Sequence, residues 1–301
     1  MTDFVWTGAT DENFETAGNW DQESGYPDGS ADRAIFSGTP TNDCETSGET
    51  HSVNIGELCV MPDYTGAIGA AGSPLIIGAD FTQIDASSAS TINIEGVTDY
   101  IQDHVTIQGT GGSNTVYIGG LITDLSIIRG NVEINDGSEI TGKFYIGYEN
   151  SQNADVTLTI QDSDGSSTTL PDTYVGGGII INYAAIPNGK TLYLDAGKWT
   201  HGQDHENDDA CGAIATIRQK GGIFEWNKGN ITNAFFYNGS VDASNGRLAA
   251  RTIGTTYVVG PVDFNFDNGR ANLNDTKVMK FFTGGSTFRF PAGMKITIGT
   301  V

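Results

Sequence analysis

Apolar and polar positions alternate along most of this chain, in runs too short for anything but brief strands. Ser90–Val97 (STINIEGV), Asn114–Gly120 (NTVYIGG), Asn131–Asp136 (NVEIND) and Asp155–Ser163 (DVTLTIQDS) each put β-branched or aromatic residues on one face. The pattern continues through Gly189–Gly197, Gly222–Gly229, Val262–Gly269, Lys277–Phe282 and Met294–Val301. Helical spacing of apolar residues is sustained nowhere, because glycine or Asn-Gly interrupts most windows before three turns can form. The expected fold class is all-β.

A loose repeat runs through the second half, in which a turn ending in glycine leads into a short strand. Gly197, Gly222, Gly239 and Gly260 mark it at intervals of 25, 17 and 21 residues. Rungs of that irregular length fit a parallel β-helix, whose coils stack and bury a shared inner column. Asn-Gly and Asp-Gly pairs then sit at coil corners, where positive φ must be tolerated. An antiparallel jelly roll or β-sandwich would use the same dipeptides as hairpin turns. The rung-like spacing favours the solenoid.

A solenoid ends in unpaired strand edges that must be covered. The opening stretch, Phe4–Phe36, holds Trp6 and Trp20 among small, acidic and turn-forming residues. It predicts an N-terminal cap over residues 1–50, followed by a β-helix over 51–301, with the glycine-rich Tyr64–Asp80 separating cap from main stack. Phe4, Trp6, Phe14 and Trp20 have two readings. They close the first coil, or they form a docking arm whose rings bury themselves in a partner.

Composition narrows the function classes. Fifteen Lys and Arg against 37 Asp and Glu give a formal net charge of -22, which disfavours nucleic acid and anionic membranes as partners. The 41 glycines against only eight prolines suit tight turns between strands. Cys44, Cys59 and Cys211 give neither a disulfide framework nor zinc spacing. A Cys44–Cys59 bridge is one option and buried thiols are the favoured one. The start MTDFVW lacks a basic and apolar leader pattern, so the sequence is either a mature form or, as Met1 favours, a protein made and used without Sec export.

Candidate chemistry is sparse. His201–Gly212 (HGQDHENDDACG) gathers His201, Asp204, His205, Glu206, Asp208 and Asp209, an oxygen-rich set that calcium would suit. It has no fixed ligand spacing, and a solvated loop between rungs is the favoured reading. Asn207–Ile214 resembles faintly the paired-aspartate motif of polygalacturonases, which are β-helical hydrolases. The Gly-His-Gly that should follow is absent, and Thr216–Lys220 departs from that family's Arg-Ile-Lys. Asp103 and His104 are neighbours on an expected strand, where alternation turns them to opposite faces. Gly109–Asn114 has the wrong spacing for a phosphate loop. Trp199, Trp226, Phe235, Phe236 and Tyr237 are candidates for a sugar-stacking platform or, preferentially, for core. No catalytic residue, cofactor or metal is expected.

Trp6-Thr7-Gly8, then Ala17-Gly18-Asn19-Trp20, Pro27 and Asp32 resemble a segment near the start of bacterial and phage β-helical surface proteins. Gly29–Asp32 departs from the Gly-Asp adjacency usual there. The similarity covers about a tenth of the chain and implies architecture. An acidic, leaderless β-helix also resembles the accessory proteins that decorate or cement tailed-phage capsids. That resemblance implies a non-enzymatic homotrimer on the outer capsid surface, bridging subunits of the major capsid protein. Phe4, Trp6, Phe14 and Trp20 are the expected anchors. A phage fibre, tailspike or glycan-binding adhesin is the alternative.

Overall fold

The computed structural model describes residues 1–22, 25–45, 50–70, 72–89, 91–110, 115–148, 155–163, 167–202, 211–244, 252–265, 278–281 and 285–289. Among them the chain is a parallel β-solenoid, and the one helical element is a 3₁₀ turn at Ala17–Asn19. The jelly-roll alternative is set aside, because every strand-to-strand ladder described is parallel. The chain forms two compact units, Met1–Lys143 and Phe144–Val301.

In the first unit, the strands Thr2–Val5, Asp32–Phe36, Thr50–Val60, Leu75–Ala86, Gln102–Thr110 and Thr115–Ile127 pair in that order. Their register aligns Phe4, Ala34, Leu58, Thr82, Val105 and Leu125 in one inward row. A second row runs Phe36, Val60, Ile84, Ile107 and Ile127, all buried. Thr82 interrupts the first row with a hydroxyl that donates to Gln102 Oε1, and Gln102 Nε2 donates in turn to the Ile77 carbonyl. Both buried polar groups are therefore satisfied, as burial away from water requires.

The segment after the first strand folds back over it. Trp6 and Trp20 form an antiparallel bridge, and the Asp21 and Val5 backbones are linked by Asp21 N–H to Val5 O at 2.9 Å and Val5 N–H to Asp21 Oδ1 at 2.8 Å. Gln22 Nε2 reaches the Asp3 carbonyl at 3.2 Å. The outer edge of the first strand is thereby covered, which blocks end-to-end pairing there. The cap is smaller than the expected 1–50 span. Thr2–Val5 and Asp32–Phe36 already pair in register with the coil strands, so they belong to the stack.

In the second unit each coil contributes one strand to each of two rows. Asp172–Val175, Ile186–Leu194, Ile214–Gln219, Ile231–Phe236, Ile253–Val258 and Val278–Phe281 pair along one. Val156–Ile160, Ile179–Asn182, Lys198–His201, Ile223–Trp226, Gly239–Asp242, Val262–Asn265 and Thr287–Arg289 pair along the other. Leu158, Ile180, Trp199, Phe224, Val241 and Phe264 form a continuous inward column.

The corner between the two rows is a stack of glycines. Gly178, Gly197, Gly222 and Gly239 have φ of 95°, 79°, 69° and 102°. The N–H groups of Lys198, Ile223 and Ser240 each reach the glycine carbonyl one coil back, at 2.8, 2.9 and 3.0 Å. A Cβ on Gly222 would lie 2.4 Å from the Gly197 carbonyl oxygen, so this corner requires glycine for both its dihedral and its space. The expected marker Gly260 is not part of this stack. Gly239 aligns with Val262, which leaves Gly260 two positions early.

Candidate functional site

The four expected anchors are interior residues. Phe4, Trp6, Phe14 and Trp20 are all buried, and Trp20 meets Phe4, Trp6, Phe14 and Phe36 edge-on at centroid distances of 6.3, 5.1, 5.0 and 5.8 Å. Tyr64 extends the cluster from Phe36 at 5.4 Å. Both indoles have partners, with Trp6 Nε1 donating to the Asn42 carbonyl at 3.1 Å and Trp20 Nε1 to the Phe14 carbonyl at 2.8 Å. Rings held in this way cannot reach a partner without opening the cap. Asn19, buried beneath them, accepts from the N–H groups of Thr10 and Asp11 and fixes the loop between the tryptophans. These residues are core, and the docking-arm reading is withdrawn.

For three of the later aromatics the favoured core reading holds. Trp199, Trp226 and Phe236 point inward and are buried. Phe235 alternates outward from Phe236 and is half-buried, as is Tyr237. Asp204, His205, Glu206, Asp208 and Asp209 lie outside the described residues.

The two ends of that acidic loop are described, and they meet. His201 is fully buried, with Nδ1 3.1 Å from Asn182 Nδ2 and Nε2 2.9 Å from the Gly212 carbonyl. Asn182 Oδ1 accepts from Ala184 N–H, and Nδ2 also donates to Ala184 O, which sets the amide's orientation. The imidazole is therefore an acceptor at Nδ1 and a donor at Nε2. Burial pushes its pKa down to about 4, so it is neutral at pH 7. Cys211 Sγ lies 3.6 Å from Nε2, and burial pushes that thiol up to about 12. Cys, His and Asn in one cluster have the makings of a nucleophile with its base. Here the base has no free lone pair and the thiol stays protonated, so the cluster holds the loop ends together.

All three cysteines are free, and the Cys44–Cys59 bridge is not formed. Burial raises Cys44 well above the ordinary thiol value and Cys59 to about 11. At pH 8 the native protein is expected to resist an aromatic disulfide reagent over the time in which all three thiols react in urea. One rapid equivalent from the native protein would contradict this assignment.

The outward face of the first unit carries a row that no local motif announces. Asp3, Arg33, Glu57, Phe81, His104 and Asp124 align rung by rung. Arg33 pairs with Glu57 at 3.0 Å and reaches Asp3 at 3.9 Å, and His104 Nδ1 lies 3.3 Å from Asp124. Between these contacts Phe81 stacks on His104 at 5.4 Å, with planes 28° apart. His104 thus pairs across the rung with Asp124, not along the strand with Asp103. Its partners lie 20 residues or more away in sequence, so only knowledge of the coil length reveals them.

The second unit has a comparable outward row, Tyr174, Tyr193, Arg218, Phe235 and Tyr257. Tyr145 stacks beneath Tyr174 at 5.0 Å. Tyr148, beside them, donates to Asp195 Oδ2 at 2.7 Å, and its phenol is raised by burial and by that carboxylate. Among the described residues no three His, Cys, Asp or Glu side chains are grouped to hold a metal ion.

Comparison with known protein families, with curated proteins and with solved structures finds no match to this chain.

Proposed function

We propose that this protein is a non-enzymatic virion component that decorates and stabilises a tailed-phage capsid by bridging neighbouring capsid subunits. The observation that supports it is the exposed ring of Phe81. That ring is 54% exposed although it sits on a paired strand, and its own stack with His104 holds it upright. Ile101, 38% exposed, is tied to the same strand by Ala79 N–H to its carbonyl at 3.1 Å. A large ring on a paired strand, bordered by polar and charged side chains, has the form of an interface anchor inside a polar rim. Such an anchor stabilises an assembled shell by binding it, with no chemistry required.

The test is co-sedimentation with shells of the major capsid protein encoded nearest to this gene. Wild type is expected to pellet with the shells. Phe81→Asp is expected to remain folded yet lose at least ~30-fold in affinity, the ~2 kcal/mol typical of an interface hot spot. A Phe81→Asp protein that binds as wild type does, or reducing-sugar release from acidic polysaccharides by the wild type, would remove this reading.

A further inference from the structure

The chain has four Asn-Gly pairs, of which Asn245–Gly246 and Asn268–Gly269 lie outside the described residues. In such a pair the main-chain nitrogen of glycine approaches the preceding side-chain amide freely, because glycine carries no side chain to crowd it. The two described pairs have opposite surroundings. Asn188 and Gly189 belong to the strand Ile186–Leu194, and both are exposed. Pairing with the next coil holds at Ile186–Ile214 and resumes only at Thr191–Thr216. On the other side, pairing with Asp172–Val175 begins at Leu192, and Thr191 N–H donates to Asp172 Oδ1 at 2.8 Å. Pro187, Asn188, Gly189 and Lys190 therefore bulge out of both ladders. Gly189 has a φ of 84°, and a Cβ there would meet nothing within 4 Å.

Asn238–Gly239 is the contrasting case. Asn238 is exposed as well, so exposure does not separate the two pairs. Gly239, however, opens the strand Gly239–Asp242, pairs with Val262 and stands at a φ of 102° in the glycine corner. A Cβ on it would lie 2.5 Å from the Gly222 carbonyl oxygen and 2.7 Å from Gln219 Nε2. The next residue is fixed too, with Ser240 N–H donating to the Gly222 carbonyl at 3.0 Å. The Gly239 nitrogen turns toward the Asn238 side chain only when this corner opens.

We infer that Asn188 is a site of spontaneous modification, closing to a succinimide that hydrolyses to aspartate and isoaspartate, while the glycine corner protects Asn238. The deprotonated main-chain nitrogen of Gly189 bonds to Asn188 Cγ, and the side-chain nitrogen leaves as ammonia. Water then opens the cyclic imide at either carbonyl. One C–N bond breaks, the carbon ends as a carboxylate, and the nitrogen regains its proton. The net change turns one amide and one water into one carboxylate and one ammonium, so no oxidant, reductant or cofactor is needed. Each event makes the formal charge of -22 one unit more negative. Opening at the main-chain carbonyl also routes the backbone through the former side chain and lengthens it by one carbon. The bulge accommodates that carbon, since neither ladder has a paired position at residues 187–190.

Prolonged incubation at pH 8, followed by mass spectrometry of the separate peptides, tests this. A parallel sample in urea gives each asparagine its own unfolded reference rate. In the folded protein Asn188 is expected to convert within ~3-fold of its urea rate, and Asn238 to fall at least ~10-fold below its own, because its corner must open first. Fragmentation that separates isoaspartate from aspartate should find both at position 188, and the converted protein should keep the melting temperature of fresh protein. Asn188→Gln should abolish conversion in that peptide and leave the rate at Asn238 unchanged. Folding that slows Asn188 as strongly as Asn238, or that leaves Asn238 at its urea rate, would overturn the inference. So would a loss of melting temperature in step with conversion at position 188. The experiment uses no shells, so its result and that of the capsid proposal are independent.

Discussion

Replacing Trp6 and Trp20 together by alanine is expected to unfold the N-terminal cap. Each indole is about 1% exposed, and the pair sit edge-to-face at 5.1 Å within a cluster that includes Phe4, Phe14 and Phe36. Truncating a buried tryptophan costs ~3–5 kcal/mol, and the two losses share a cavity, so they do not simply add. The Asn42 and Phe14 carbonyls also lose their indole donors. Against a domain stability of ~5–15 kcal/mol, that loss removes most of the margin. The consequence goes beyond stability. Trp20 precedes Asp21, whose backbone and side chain cover the edge of the strand Thr2–Val5. Release of the segment exposes that edge, so the variant should associate end to end as well as lose near-ultraviolet dichroism. A double mutant with the wild-type urea midpoint and sedimentation coefficient would show that the rings are not core.

The fold class was legible because it depends on local features. Alternation in Asn131–Asp136 or Asp155–Ser163 needs only a few residues to declare itself, and glycine corners follow from the requirement for positive φ. What alternation cannot supply is the direction of each face. Phe224 and Trp226 share a face in any strand, yet only the coil closure turns that face inward. The cap aromatics pose the same difficulty at longer range. Whether Trp6 is inside depends on Asn42, 36 residues on, which brings its carbonyl to the indole. Register was illegible because coil lengths vary. Inward partners Ala34, Leu58, Thr82, Val105 and Leu125 are separated by 24, 24, 23 and 20 residues. In the second unit the corner glycines Gly178, Gly197, Gly222 and Gly239 are 19, 25 and 17 apart. A glycine marker such as Gly260 therefore falls out of register, and the outward rows built on Phe81 and Arg218 emerge only from the true register.

Acidification from pH 7 to pH 5 is expected to destabilise the second unit through His201. The folded ring is held neutral with a pKa of about 4, against an ordinary value of 6.5. The unfolded chain therefore binds a proton that the native state refuses, and stability falls as pH drops below the unfolded value. The loss grows by ~1.4 kcal/mol per pH unit between 6.5 and 4, reaching ~2 kcal/mol at pH 5 and ~3 kcal/mol at pH 4. Geometry accounts for the refusal. A proton added at Nδ1 would face the Asn182 amide hydrogens, and the charge would sit in a pocket closed by Cys211 and Gly212. Urea midpoints between pH 7 and pH 5, compared with those of His201→Gln, isolate the effect. His201→Gln should lower stability at pH 7 but flatten the pH slope. A wild-type midpoint that is flat from pH 7 to pH 5, or a slope that His201→Gln leaves unchanged, would mean that the imidazole takes up its proton in the native state.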